Sequence, residues 1–265
     1  MARPTLVIIP GSSSLPEFYT PIVDAIRAHG YEVKALKLPS VVDDAPTGPL
    51  PTMYDDAAHI QAHVAPLVDA GKDVILVTHS YGGTPGTQSI QGLSKTEREA
   101  QGLRGGVVGI AYITSLIPEP GKPISSVLEA LPAGNKLPIV LDENGWIYYT
   151  DIPALAALSF SDMPKEEGGR WARKLVKHSS ASFEGPLTYA GFKDVTVSFL
   201  LCQHDKLIVP KIQRAEIDMI ERETGRKNAS IKAMEIYFRR QCLHQSLFEK
   251  HQGVAVRKYT VGFGL

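Results

Sequence analysis

The sequence predicts an α/β fold in which a mostly parallel sheet of about six strands is flanked by helices. Three observations lead to it. Short apolar runs alternate with segments that carry apolar residues at helical spacing, which is the pattern of βαβ units. One of these runs, at residues 74–77, is followed after Thr78 and His79 by a Ser-Tyr-Gly-Gly turn. The alternation lapses over residues 116–190, which are too many for a simple crossover and indicate an insertion.

The composition limits the classes of function. Lys and Arg together number 28, as do Asp and Glu, so charge gives no argument for a nucleic-acid or membrane partner. No apolar run reaches the roughly 20 residues that span a bilayer, and the N-terminus lacks the pattern of a signal peptide. The two cysteines make no disulfide framework. We therefore expect one cytoplasmic domain over residues 1–265; whether it forms a homodimer stays open.

The individual elements follow from the spacing of apolar residues. In chain order, the predicted strands are residues 5–9, 31–38, 74–77, 107–113, 195–201 and 231–238. The predicted helices outside the insertion include residues 18–29, 53–70 and 246–258. Residues 41–51 are rich in Pro, Asp and Gly and are predicted to form a surface loop.

The insertion at residues 116–190 is predicted to be a mainly helical cap. Its helical patterns cover residues 124–131, 151–158 and 164–178. It also carries bulky apolar residues, among them Trp146 and Tyr149. Ligands of open α/β sheets bind beyond the carboxyl ends of the strands, so a cap there would line an apolar substrate pocket. The alternative is a packing layer without substrate contact.

The turn after residues 74–77 predicts a nucleophile elbow. A strand that breaks sharply into a helix lifts the corner residue, Ser80, above the sheet, and Gly82 and Gly83 leave room for the chain to double back. The residue two positions before Ser80 is Thr78, where the motif usually has Gly. The alternative is a glycine-rich turn with an incidental serine.

A nucleophilic serine needs a base, and the base needs a third group that fixes its tautomer. In the elbow architecture these follow in the order Ser, acid, His. Asp205 comes directly after the strand at 195–201 and is the predicted acid, with a turn or helix cap as its alternative role. His244, in the loop after the strand at 231–238, is the predicted base, and His251 is the alternative.

Two backbone N–H groups should hold the developing oxyanion. One is predicted to come from Tyr81, directly after Ser80. The other should come from the loop after the first strand, where Gly11 permits close approach and Ser12 is favoured over Ser13. His79 adjoins the nucleophile and is expected to line the site, with its side chain turned away from Ser80.

These motifs resemble the α/β-hydrolase superfamily. The resemblance lies in residues 6–12, 79–83, 204–210 and 244–246. Smaller similarities, Leu38-Pro39-Ser40 and residues 160–164, are similar to a compact fungal and bacterial branch related to plant methylesterases and hydroxynitrile lyases. The resemblance implies an α/β-hydrolase fold, a triad of Ser80, Asp205 and His244, and oxyanion donors at Ser12 and Tyr81.

The expected function is that of a serine carboxylesterase, lactonase or thioesterase acting on an apolar small-molecule substrate, with no metal or organic cofactor. The same triad also suits a lyase, or an enzyme that releases and cyclises polyketide chains. A third hypothesis is a small-molecule receptor that binds on this fold without turnover.

Overall fold

The computed structural model describes residues 3–226 and the backbone of a strand at residues 231–234. Its strands, in chain order, are β1 (Thr5–Ile9), β2 (Val33–Ala35), β3 (Val41–Val42), β4 (Asp73–His79), β5 (Gly106–Ile113), β6 (Ile139–Leu141), β7 (Trp146–Tyr149), β8 (Lys177–Ser179), β9 (Thr196–Cys202) and β10 (Ile231–Met234). Its α-helices are α1 (Thr20–Ala28), α2 (Met53–Asp69), α3 (Gly83–Gln88), α4 (Lys95–Glu99), α5 (Ile124–Glu129), α6 (Ile152–Ser159), α7 (Lys165–Ala172) and α8 (Pro210–Thr224).

Among the described residues, six strands form the central sheet in the order β10-β9-β5-β4-β1-β2, and all their pairings are parallel. This confirms the predicted α/β architecture. Neighbouring parallel strands all present their carboxyl ends at one edge of the sheet. The loops after β1, β4, β5 and β9 therefore meet there, and these loops carry the candidate site residues.

Side chains of the central strands are buried on both faces of the sheet. In β4, Val74 and Leu76 belong to one apolar cluster, whereas Ile75 and Val77 belong to the other. Helices α2 and α8 pack on the first face, and α1 packs on the second. Successive side chains of a strand point to opposite faces, so a strand covered on both sides needs an unbroken apolar run. That is why the strands were recognisable in the sequence.

Residues 116–190, which connect β5 to β9, contain helices α5, α6 and α7, as predicted, together with strands that were not predicted. Strands β3, β8, β7 and β6 form a second, antiparallel sheet in that order. One strand of this sheet, β3, comes from the main body, where Val41 pairs with His178 and is buried. The prediction of a surface loop over residues 41–51 is therefore wrong at its first two residues.

The helix predicted over residues 164–178 ends at Ala172. Residues 177–179 are extended instead, because their backbone pairs with β3 on one side and β7 on the other. The bounds of the other described elements shift by a few residues from those predicted. The helix predicted over residues 246–258 and the end of the strand predicted over residues 231–238 lie outside the described residues. Among the described residues, no helix is both long and apolar enough to cross a membrane.

Candidate active site

Ser80 stands at the corner where β4 turns into a helical segment. It directly follows β4 and begins a 3₁₀ turn, Ser80–Gly82, that leads into α3. Its φ is +50°, which is left-handed backbone that a residue other than glycine adopts only under constraint. Its side chain is half-buried, whereas both its neighbours are buried. An added Cβ at Gly82 would lie 2.5 Å from the carbonyl oxygen of Pro10, so the turn needs glycine there.

The structure accommodates Thr78 where the elbow motif usually has glycine. The Thr78 side chain points towards α3, and an added Cβ at Gly86 would lie only 2.7 Å from its Cγ2. Its hydroxyl lies 2.9 Å from the Ser115 hydroxyl, and the Ser115 hydroxyl also donates to the Thr78 carbonyl at 3.0 Å. Glycine at position 86 of the facing helix thus leaves room for the Thr78 methyl group, and the Thr78 hydroxyl has a hydrogen-bond partner.

The loop after β1 packs directly against the elbow. A Cβ at Gly11 would lie 3.1 Å from Ser80 Cβ. The Gly11 N–H donates to the Tyr19 hydroxyl at 2.8 Å. Tyr19 in turn lies 2.8 Å from His79 Nδ1, within hydrogen-bond distance. Because the Gly11 N–H is already used, the N–H groups available for an oxyanion in this loop are those of Ser12 and the residue after it.

Ser13 is the next residue of that loop and is unusual in two respects. Its φ is +57°. Its side chain is fully buried, and its hydroxyl has no hydrogen-bond partner among the described residues. A buried hydroxyl without a partner is costly, and a catalytic or binding role is one explanation for its presence in a folded protein.

Asp205 lies three residues beyond β9, at the same edge of the sheet. One carboxylate oxygen, Oδ1, accepts from the N–H groups of Leu207 and Ile208 at 2.8 and 2.9 Å. The other, Oδ2, accepts from the Thr114 hydroxyl at 2.6 Å. These donors fix the plane of the carboxylate. Strand β5 separates β9 from β4, which puts the strand of Asp205 about 10 Å from the strand of Ser80.

Gln213, on α8, holds the loop that carries Asp205. It is fully buried. Its side-chain oxygen accepts from the Cys202 N–H at 2.8 Å, and its amide donates to the carbonyls of Cys202 at 3.2 Å and Ile208 at 2.6 Å. One side chain thereby ties together the two ends of the segment from Cys202 to Ile208.

Three non-glycine residues have positive φ among those that the structure describes: Ser13, Ser80 and Thr114. They follow β1, β4 and β5, which are adjacent in the sheet. Each such residue costs of order 1–3 kcal/mol and persists only where its surroundings hold it. This concentration at one edge marks the place where the fold stores backbone strain.

A buried hydrogen-bond chain runs behind the loop after β1. The Ser12 hydroxyl lies 2.6 Å from Nδ1 of His178, a fully buried residue of β8. The other ring nitrogen, Nε2, faces the hydroxyls of Ser40 at 3.0 Å and Ser182 at 3.1 Å. Ser40 gives its proton to Asp56 at 2.5 Å, and Ser182 gives its proton to a carbonyl at 2.8 Å. Nε2 must therefore carry the ring proton, and Nδ1 accepts from Ser12.

The chain ends on the Asp56 carboxylate. Asp56 is fully buried on α2 and accepts from the Ser40 N–H at 2.9 Å, the Ser40 hydroxyl, and the Tyr81 hydroxyl at 2.5 Å. Burial raises the pKa of Asp56 to about 6, against the opposing effect of those hydrogen bonds. Burial also lowers the pKa of His178 to about 3. At neutral pH the carboxylate is ionised and the imidazole is neutral.

Other predicted site residues lie in or outside this region as follows. Trp146 is buried in β7, and its backbone N–H donates to the Asp142 carboxylate at 2.9 Å. Tyr149, on the same strand, is partly buried against the second apolar cluster. Their contact with a substrate stays a prediction. His244 and its alternative His251 lie outside the described residues.

Several residues that shape the site were not predicted: Ser40, Asp56, Thr114, His178 and Gln213. Only Ser40 carried a signal, as part of the Leu-Pro-Ser similarity. Asp56 occupies the first turn of α2, where an acidic residue is ordinary. His178 falls within a predicted helix that is in fact a strand.

The fold agrees with comparisons to known proteins. The profile of the alpha/beta hydrolase family matches residues 6–232. The chain therefore belongs to the alpha/beta hydrolase family. Among its curated relatives, the probable hydrolase R7 of Phoma sp. is 29% identical over 227 residues, covering 86% of this chain and 88% of that protein. The alpha/beta hydrolase nvfD of Aspergillus novofumigatus is 27% identical over 212 residues, covering 80% and 81%.

Solved structures show the same fold at low sequence identity. The crystal structure of polyneuridine aldehyde esterase matches with a TM-score of 0.69 and 15% identity, covering 98% of this chain and 99% of that chain. A pyrethroid hydrolase from Sphingobium faniae matches with a TM-score of 0.69 and 17% identity, covering 97% of each chain.

The C-terminal segment matches a different family. Residues 225–265 fit the profile of the N-terminal part of hydroxymethylglutaryl-coenzyme A synthase. The synthase from Fusarium sp. is 67% identical over 39 residues, which are 15% of this chain and 9% of the synthase. The hydrolase match ends at residue 232. His244 and His251 therefore lie in the part of the chain that resembles the synthase.

Proposed function

We propose that the protein is a serine hydrolase that cleaves an ester, lactone or thioester of an apolar small molecule. The observation that carries the proposal is Ser80 at the corner after β4, a half-buried residue with a φ of +50°. Asp205 supports it from the same sheet edge, with a carboxylate oriented by three donors. In this proposal Ser80 is the nucleophile, Asp205 the acid and His244 the base.

The reaction would proceed in two halves. Ser80 attacks the substrate carbonyl while the base takes its proton, and Asp205 stabilises the resulting imidazolium. The oxyanion is held by the backbone N–H groups of Ser12 and Tyr81. The base then protonates the leaving alcohol or thiol. Water, deprotonated by the same base, finally cleaves the acyl-enzyme and regenerates Ser80.

The proposed substrate class depends on the insertion at residues 116–190, which we propose acts as a cap. Two contacts support this: the Val176 N–H donates to the Ser13 carbonyl at 3.0 Å, and His178 meets the Ser12 hydroxyl. The insertion thus touches the loop that would hold the oxyanion. Gly11, Ser13 and His79 would form the wall next to Ser80. Trp146 and Tyr149 would contribute apolar surface from the cap.

The assignment of the base rests on chain order alone. His244 follows the last described strand, as the base does in the elbow architecture. The match to the hydrolase family does not support His244 as the base, because His244 lies within residues 225–265, which match the synthase. His251 is the alternative base.

That same match favours a second candidate function, which is binding of a small molecule without efficient turnover. A site with a nucleophile and an acid but no competent base would still recognise a substrate-like ligand. Its hydroxyl would react slowly, because an unassisted serine is a weak nucleophile.

One experiment separates these possibilities. The full chain is treated with a fluorophosphonate probe, the labelled peptide is identified by mass spectrometry, and turnover of p-nitrophenyl butyrate is measured. We expect label on Ser80 and loss of both signals in Ser80→Ala. Ser89→Ala is the matched control, since Ser89 is a buried serine on the same elbow segment with its hydroxyl bonded to a carbonyl.

The histidines are then compared. Loss of turnover in His244→Ala but not in His251→Ala supports the proposed base, and the reverse outcome assigns it to His251. If neither substitution changes the rate of an active enzyme, the C-terminal segment does not supply the base. A folded protein that neither labels nor turns over favours the binding function.

A further inference from the structure

Both candidate oxyanion donors are anchored through their side chains to one buried hydrogen-bond chain. Ser12 donates its hydroxyl proton to His178, and Tyr81 donates its hydroxyl proton to Asp56. The Ser40 hydroxyl joins the two ends, because it lies 3.0 Å from His178 Nε2 and 2.5 Å from Asp56 Oδ2. The two residues whose backbone N–H groups would bind the oxyanion are thus also linked to each other through their side chains.

We propose that His178, Ser40 and Asp56 are positioning residues that hold the oxyanion hole in its productive geometry. This inference rests on the proposed function, since it concerns the same reaction. None of the three is assigned contact with the reacting atoms. They act on catalysis by fixing the side chains, and hence the backbone, of Ser12 and Tyr81.

The direction of the hydrogen bonds supports a positioning role. Every proton in the chain points towards Asp56: from Ser12 to His178, from His178 to Ser40, and from Ser40 and Tyr81 to the carboxylate. A carboxylate accepts only, so it imposes one orientation on the whole chain. Buried networks in which every member is satisfied are rigid, and rigidity is what an oxyanion hole needs.

The surroundings exclude the other obvious role, that of His178 as a second base for Ser12. The ring is fully buried, and its neighbours are the rings of Tyr81 and Phe183, at 4.6 and 4.9 Å between centroids. Burial lowers the pKa of His178 to about 3, so the ring holds a proton too weakly to act as a base near neutral pH. The titratable groups that act on Asp56 are Tyr81 from the elbow and Asp55 from its own helix, whereas His178 from β8 reaches it only through Ser40.

The residues of this hydrogen-bond chain come from separate elements of the fold. Ser40 precedes β3, Asp56 lies on α2, and Ser182 follows β8 in the inserted segment. The β3–β8 pairing brings Val41 opposite His178, and the Ser179 N–H donates to the Ser40 carbonyl at 2.9 Å. The two-residue strand β3 therefore holds the inserted segment in the register that places His178 against Ser12.

The test uses substitutions that remove an anchor but keep the backbone N–H. Tyr81→Phe loses only the hydroxyl that binds Asp56, and Ser12→Ala loses only the hydroxyl that binds His178. We expect kcat for p-nitrophenyl butyrate to fall about 10- to 100-fold in each, with KM changed less than about twofold, because a misplaced donor weakens only the transition state. Inhibition by a boronic acid, which needs the oxyanion hole, should weaken in parallel with kcat.

Tyr112→Phe is the matched control. Tyr112 is a fully buried tyrosine whose hydroxyl lies 2.7 Å from the Thr87 hydroxyl, away from the oxyanion loop. It should lose thermal stability as Tyr81→Phe does, yet keep the wild-type kcat. If the kcat of Tyr81→Phe and Ser12→Ala stays within about twofold of the Tyr112→Phe value, the inference is overturned. A wild type that neither labels at Ser80 nor turns over overturns the proposed function, and this inference with it, before any variant is compared.

Discussion

Replacing His178 by glutamine should change how the stability of the protein depends on pH. Glutamine keeps one donor and one acceptor for the hydroxyls that His178 contacts, but it cannot bind a proton. In the wild type, burial lowers the pKa of His178 from 6.5 to about 3. Below about pH 6.5 the unfolded chain takes up a proton that the folded chain refuses, so folding becomes less favourable as the pH falls.

The size of the effect follows from the same values. Each pH unit between the two pKa values costs about 1.4 kcal/mol at 25 °C. From pH 7 to pH 4, His178 should therefore reduce the free energy of unfolding by about 3 kcal/mol. Asp56 acts in the opposite direction, because burial raises its pKa from 3.8 to about 6 and the folded chain takes up that proton first. The two effects should nearly cancel in the wild type between about pH 6 and pH 4.

The assay is urea unfolding, followed by tryptophan fluorescence, of the wild type and His178→Gln at pH 7 and pH 4. Altered packing should lower the free energy of unfolding of the variant equally at both pH values. The free energy of unfolding of His178→Gln relative to wild type should therefore be about 3 kcal/mol higher at pH 4 than at pH 7. His29→Gln, which replaces an exposed histidine at the end of α1, is the control. A difference between His178→Gln and wild type that is equal at the two pH values would refute the assignment of a buried, neutral imidazole.

Three further predictions concern residues around the site. Thr114→Val should lower kcat about tenfold without loss of fold, because it removes the hydroxyl that donates to Asp205 and a hydrogen bond to a charged group is worth about 1.5 kcal/mol or more. Steady-state kinetics test this, with Thr96→Val, at an exposed helix position, as the control. Gly86→Ala should destabilise by about 1–3 kcal/mol in thermal unfolding, and Thr78→Ser should recover part of this by removing the methyl group that the new Cβ meets; purely additive effects would contradict the contact. Gln213→Leu should lower the free energy of unfolding in urea by about 2 kcal/mol or more, since it leaves buried backbone groups of Cys202 and Ile208 unpaired. An unchanged midpoint would show that these hydrogen bonds do not stabilise the fold.

The central sheet was predictable because its strands are buried on both faces, which demands apolar runs that stand out in a sequence. The same logic located the site. Parallel strands end at one edge, so Ser12, Ser80 and Asp205 had to converge once each was recognised at a strand end. The departure at Thr78 is accommodated by Gly86 on α3, a contact that the sequence pattern did not indicate.

The buried chain around His178 was not predictable in this way. Its key contact joins Ser12 to a residue 166 positions away. The strands that bring them together, β3 and β8, have two and three residues, too short for any periodicity to be read. The histidine itself lay in a pattern that favoured a helix, and only tertiary pairing overrode it.

The base illustrates a different limit. An apolar run followed by a polar loop with a histidine is what the end of this fold requires, and residues 231–244 have that pattern. The pattern is equally compatible with another origin, and residues 225–265 match the synthase family. Periodicity describes what a segment is able to form, whereas its ancestry needs comparison with other proteins.

The position of His178 on the inserted segment restricts how this protein can diversify. A segment that is proposed to cover the site is an obvious unit to exchange when a new substrate is wanted. Here, exchange of the whole segment would also delete the partner of Ser12 and leave Ser40 and Asp56 facing an unfilled space. We therefore expect exchange to be tolerated better in α5 to α7, β6 and β7 than in the three residues of β8, which carry His178. Chimeras built with their boundaries on either side of β8 would show this modularity directly.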